Sequence, residues 1–157
     1  MTHVDFMQVA LEEARLAFEE GEVPVGAVIV RDGRIIARAH NTRERDKNAL
    51  CHAEVTVIDA ACRILGGWRL VGCSLYVTLE PCPMCAGAIL NAQLKDVYVG
   101  ASDEKMGAFG GLLDVRGKGL FRSSVTFGIL EEESRALMQR FFQKLRDKRE
   151  EKKEDSL

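Results

Sequence analysis

Leu75-Tyr-Val-Thr-Leu-Glu-Pro-Cys-Pro-Met-Cys-Ala-Gly-Ala88 changes character halfway along its length. The first half is apolar and β-branched, and it predicts a buried strand over Cys73–Thr78. The second half is built of small residues, and Pro81 leads into a predicted helix over Cys82–Asn91. A strand that feeds a helix is the repeating step of an α/β fold. The same step recurs on both sides. His52–Leu65 reads as a helix closed by Gly66-Gly67. Lys95–Gly100 reads as a strand carrying Val97, Tyr98 and Val99, and a further strand is expected near Ser124–Phe127. The last helix is expected to begin about Glu131, where Glu131, Glu132 and Glu133 suit the positive helix end.

Toward the N-terminus, Phe6, Val9, Ala10, Ala14, Ala17 and Phe18 recur at helical spacing within Asp5–Glu20, and Gly21 ends the run. Val23–Val30 reads as a strand entered through the extended Pro24 segment. Asp32-Gly33 is a two-residue hairpin signal, and Arg34–His40 returns as the partner strand. Asn41–Leu50 is polar and aperiodic, hence a loop, and loops on a rigid sheet are where binding residues gather. The order α-β-β-α-β-α-β-β-α implies a mixed sheet with helices on both faces. One domain is expected over residues 1–157, with the charged stretch at about 147–157 fraying into solvent.

At 157 residues, 46% hydrophobic and 29% charged, the chain has the composition of an ordinary globular domain. No apolar run approaches the length of a membrane helix, and Asp5, Glu12, Glu13 and Arg15 break any signal-like stretch. Five irregularly placed cysteines argue against a disulfide framework and for a reducing compartment, so the expected location is the cytoplasm. There is no P-loop and no dinucleotide fingerprint, so no nucleotide cofactor is expected. A formal net charge of −2 gives no bulk basic signature of a nucleic-acid binder.

His52, Cys82 and Cys85 are the residues suited to hold one zinc. Structural zinc sites fill four positions from protein, whereas one His and two Cys leave a place for water, whose pKa the metal lowers. Glu54, two residues from His52, is then better placed to move protons than to act as a fourth ligand. Two plainer readings compete. A C-x-x-C pair can be a redox dithiol, although that role needs no His-x-Glu partner. A structural zinc would need a fourth ligand from Cys51, Cys62, Cys73, His3 or His40; Cys51 points away from His52, and Cys62 and Cys73 sit in apolar surroundings. His52 and Glu54 lie about 200° apart on a regular helix, so His52 is expected at or before the first turn.

The H-x-E and P-C-x-x-C pair is the signature of zinc deaminases acting on nucleobases. With Glu22–Val28 (EVPVGAV), Leu75–Ala88 and Gly100–Gly107 (GASDEKMG), the chain resembles the bacterial tRNA-specific adenosine deaminases of the cytidine deaminase-like superfamily. The resemblance covers nearly the whole chain. It implies a three-layer α/β/α fold around a mixed five-stranded sheet, a homodimer and one zinc per subunit. It also implies hydrolytic conversion of adenosine to inosine at the wobble position of a tRNA anticodon. Carried over by motif, His52, Cys82 and Cys85 are ligands and Glu54 is the proton shuttle. By the same likeness Asn41 hydrogen-bonds the nucleoside, Val25 packs against the base, and Asp103 contacts the nucleotide backbone. Unaided, Asn41 also reads as a strand-ending cap and Asp103 as a turn residue.

RNA affinity leans on Lys and Arg. Arg43, Arg45 and Lys47 after Asn41, with Lys105 and Arg116-Lys118 in the glycine-rich stretch, are the expected contacts, while Lys144, Arg146, Lys148 and Arg149 of the final helix read equally as contacts or as a solvated face. Phe141-Phe142 offers a stacking ring, although one of the pair is expected in the core. The competing function is a deaminase of a free base or nucleoside of guanine, adenine or cytosine type. A non-catalytic RNA-binding subunit would lack the proton shuttle, and Glu54 is present.

Overall fold

The computed structural model describes residues 1–119 and 121–156. One sheet of five strands has the order β2-β1-β3-β4-β5. Its strands are β1 (Gly26–Arg31), β2 (Arg34–His40), β3 (Cys73–Leu79), β4 (Asp96–Ala101) and β5 (Ser124–Thr126). β1 runs antiparallel to β2 and β3, whereas β3, β4 and β5 are mutually parallel, so the sheet is mixed as expected. The β1–β2 turn is Asp32-Gly33, both with positive φ (50° and 74°), the geometry that keeps a hairpin's twist.

The helices are α1 (His3–Glu19), α2 (Arg43–Asp46), α3 (Ala53–Leu65), α4 (Pro83–Asn91) and α5 (Glu131–Asp155). Alternate residues of β1 face opposite sides, as strand geometry requires. Ala27 and Ile29 join Val57, Leu75, Val77 and Ile89 in the core beneath α3 and α4. Val28 and Val30 join Phe6, Met7, Ala10 and Tyr76 beneath α1. This is the three-layer α/β/α arrangement. α1 comes close to the sheet at Gly26, where a Cβ would collide with Ala10 O and Ala14 N of α1.

Two segments differ from the sequence expectation. Asn41–Leu50 contains the four-residue helix α2, because Glu22 takes the N–H groups of Glu44 and Arg45 (2.9 and 2.8 Å). The stretch from 147, expected to fray, is helical through Asp155, with Leu157 outside the described residues. Its first residue is tied to the preceding turn, with Gln143 donating to Asp147 at 2.9 Å. No helix among the described residues is long and apolar enough to cross a membrane.

Candidate active site and metal centre

α3 and α4 begin at the same edge of the sheet, and each begins with a potential metal ligand. His52 is the N-cap of α3, in extended conformation (φ −77°, ψ 151°). Cys82 is the N-cap of α4 (φ −70°, ψ 172°), with Pro83 in the first turn, and Cys85 follows within that turn. Neither cap residue makes a side-chain hydrogen bond to its own helix. Placing His52 one step outside the helix resolves the angular conflict with Glu54. The imidazole turns toward α4 while Glu54, inside the first turn, is buried.

His52 Nδ1 lies 3.6 Å from Cys82 Sγ and 3.5 Å from Cys85 Sγ. The potential ligand atoms all fall within 4.8 Å of one another. Ligand lengths of about 2.05 Å to nitrogen and about 2.3 Å to sulfur, at a tetrahedral angle, place those atoms about 3.6 Å apart. The donor set therefore fits a tetrahedral metal ion with the protein filling three of its corners. Redox pairing of the two cysteines leaves the His52 position unexplained.

The charges are interdependent. The Cys82 thiol is lowered to about 4, first by the hydrogen bond from Cys85 and then by that from His52. Cys85 is pushed up, first by its hydrogen bond to the Cys82 sulfur and then by burial. His52 is raised by its bond to the Cys82 sulfur. Burial pushes Glu54 up to about 7, against the lowering effect of a hydrogen bond from its own backbone N–H.

Beside these groups lies a cavity of about 180 Å³, lined in part by Val25, Asn41, Arg43, Glu54, Asp103 and Met106. Asn41 lines the cavity, and its Oδ1 accepts the N–H of Arg43 at 3.1 Å, two residues on, just ahead of α2. Asp103 Oδ1 accepts from the N–H groups of Lys105 and Met106 (3.0 and 3.3 Å), which makes it a turn residue as well as a lining residue. Leu79, Asp103 and Met106 are shared with an adjoining groove of about 690 Å³, which also receives Lys105, Arg135, Phe142 and Arg146. Phe141 is core and Phe142 is exposed.

Not every expected contact converges. Arg45 lies outside the cavity lining and pairs with Glu20 (3.6 Å) and Asp46 (3.4 Å). Arg116 is held by both oxygens of Asp114 (3.0 and 2.9 Å). The sequence reading gave no role to the side chains of Glu80, Met106 or Glu22. A lone acidic residue between an apolar strand and Pro81 was the available signal for Glu80, whose carboxylate is buried.

The MafB19-like deaminase family matches residues 1–146. A tRNA-specific adenosine deaminase of Bacillus subtilis (strain 168) is 49% identical over 146 residues, covering 92% of this chain and 91% of the relative. A structure solved in biochemical and structural studies of A-to-I editing by tRNA:A34 deaminases superposes with a TM-score of 0.80 and 45% identity, covering 85% of this chain and 98% of the other. Guanine deaminase from Bacillus subtilis superposes with a TM-score of 0.62 and 43% identity, over 65% of this chain and 66% of its own.

Proposed function

As this chain belongs to the MafB19-like deaminases and, within them, to the tRNA-specific adenosine deaminases, we propose that its cavity receives the wobble adenosine of a tRNA anticodon loop and that the site deaminates it to inosine. The observation that carries the reading is the position of buried Glu54 beside three donors spaced for one tetrahedral metal ion. His52, Cys82 and Cys85 would hold the ion, and their thiolate and imidazole chemistry selects zinc over magnesium or calcium. Zinc so held is a Lewis acid that brings the pKa of a water toward neutrality.

The remaining work falls to protein groups. Glu54 accepts a proton from the attacking water as oxygen bonds to C6 of the purine. It passes that proton to N1, then assists departure of the exocyclic amine as ammonia. Water and adenosine are consumed, inosine and ammonia are formed, and no electron carrier is needed. A single carboxyl that first accepts and then donates a proton serves both half-steps. Asn41 contributes an N–H donor to an acceptor atom of the nucleoside, since its oxygen is taken by Arg43. Val25 and Leu79 supply apolar walls for the ring, and Asp103 is an acceptor suited to a ribose hydroxyl.

A cavity of about 180 Å³ is the size of one base, so the flanking nucleotides need another surface. The adjoining groove supplies it, with Lys105 and Arg146 for phosphate and Phe142 for stacking. Loop bases are extruded at low cost, which suits a pocket that takes one base at a time. We further read the whole chain as one deaminase domain, acting in the cytoplasm where tRNA is found. Its homodimer would pair through the outer side of α4, where Met84 and Gly87 are exposed. The competing free-base reading rests on the small cavity and on the fold shared with guanine deaminase.

Inosine formation in an anticodon stem-loop with wobble adenosine, measured beside ammonia release from free adenine, adenosine, guanine and cytidine, decides between them. Inosine in the stem-loop alone is the expected result. Ammonia from a free base with an inert stem-loop would overturn the substrate and keep the chemistry.

A further inference from the structure

Besides Glu54, two carboxylates near the cavity are almost completely buried, Glu22 and Glu80, with 1% and 4% exposure. Neither pairs with a cationic side chain among the described residues. An unpaired buried carboxylate is unfavourable unless its lone pairs are met by donors. Here the donors are backbone N–H groups, and all of them belong to the two loops that flank the cavity. Glu22 Oε1 accepts from Glu44 N–H at 2.9 Å and Oε2 from Arg45 N–H at 2.8 Å. Glu80 Oε1 accepts from Asp103 N–H at 3.0 Å. Its Oε2 accepts from Phe109 and Gly111 at 3.0 and 2.9 Å.

The loops are shaped around these groups. At Gly107 a Cβ would collide with Glu80 Oε2, and at Gly111 it would collide with Asp103 O. The glycine-rich segment therefore wraps the carboxylate closely, drawing 103, 109 and 111 to one point. Asp103 and Met106, carried on that segment, form one side of the cavity mouth. On the other side, Arg43 heads α2 and donates to Asn41, while the next two N–H groups of the same turn are held by Glu22. Charge-assisted bonds of this kind are roughly twice as strong as neutral ones.

We propose that Glu22 and Glu80 are positioning residues: each fixes one rim of the cavity mouth, and together they set how firmly the RNA is held. All four carboxylate oxygens are engaged by main-chain N–H groups of these loops. The proposal rests on the tRNA deaminase reading above, and its failure can be told apart from failure of that reading.

The test uses the metal-loaded full chain as wild type, Glu80→Gln and Glu22→Gln, with an anticodon stem-loop as substrate. Glutamine keeps the volume but turns an amide nitrogen toward a backbone N–H, so one bond is lost in each variant. We expect KM to rise at least about tenfold and kcat to fall less than about threefold, with metal content retained. Amide exchange should accelerate at 103–111 in Glu80→Gln and at 43–46 in Glu22→Gln, and not elsewhere. An active wild type with KM within about twofold in both variants overturns the proposal alone. Loss of kcat together with metal overturns it too, because the carboxylates would then be holding the metal centre. An inert wild type overturns the deaminase reading and this inference with it. Glu22 is remote in sequence from the metal ligands, so its variant decides the matter if Glu80→Gln does not fold.

Discussion

His52 Nδ1 stands 3.5 Å from Cys85 Sγ across the junction of two helices that start at one edge of the sheet. Chelation should therefore abolish inosine formation, with activity restored by stoichiometric zinc. Cys85→Ser should purify with well under one zinc per chain by elemental analysis. Full zinc occupancy in that variant would remove Cys85 from the ligand set.

Glu54→Gln should lower kcat by about 10²–10⁴-fold while leaving zinc content at the wild-type level. Turnover close to wild type would end the proton-shuttle mechanism. Glu54 also carries a stability signature in metal-free protein. Its carboxyl rises from 4.5 to about 7 on folding because burial disfavours the charged form. An acid raised in this way has no effect below about pH 4.5, and stability is lost as pH climbs toward 7. Metal-free Glu54→Gln should match wild type at pH 4.5 and exceed it at pH 8 by on the order of 3 kcal/mol in urea melts.

Asn41→Asp keeps the acceptor used by Arg43 and replaces the free N–H donor with a second acceptor. We expect kcat/KM to fall about 10- to 100-fold while the melting temperature stays within about 2 °C. Undiminished kcat/KM would mean that Asn41 serves only to hold the N–H of Arg43.

Arg43 and Lys105 face the cavity and the groove, whereas Arg45 is engaged with Glu20 and Asp46. Each of Arg43→Ala and Lys105→Ala should flatten the logarithmic salt dependence of stem-loop binding by about 0.7, and Arg45→Ala should leave it in place. The opposite ranking would move the RNA path to the outer side of α2.

Gly26→Ala forces a methyl group into the backbone of α1. Overpacking of this kind costs about 1–3 kcal/mol, which should lower the melting temperature by several degrees. An unchanged melting curve would show that α1 is free to shift away from the sheet.

Strand and helix order were readable because periodicity reports burial directly. Ala27 and Ile29 alternate with Val28 and Val30 between two cores. Asp32-Gly33 was readable because few other pairs accept two positive φ values. His52 was placed ahead of its helix by an angular argument alone. The helix α2 was hidden, since four polar residues have no periodicity and owe their turn to Glu22, some twenty positions earlier in the chain. Glu80 was hidden for a related reason: its partners are main-chain N–H groups, which leave no trace in side-chain pattern. Arg45 matched Arg43 as a basic loop residue, and only the direction of the α2 turn separates them.

Where most helices begin with a residue that caps its own first turn, α3 and α4 begin with His52 and Cys82, whose side chains are aimed at each other. Both helix starts are thus tied to a common point rather than closed individually. Withdrawing the ion from that point should loosen the first turns of α3 and α4 together, the turns that carry Glu54 and Cys85. Starved of zinc, the chain would come apart first where it works, leaving an enzyme that is either assembled or silent.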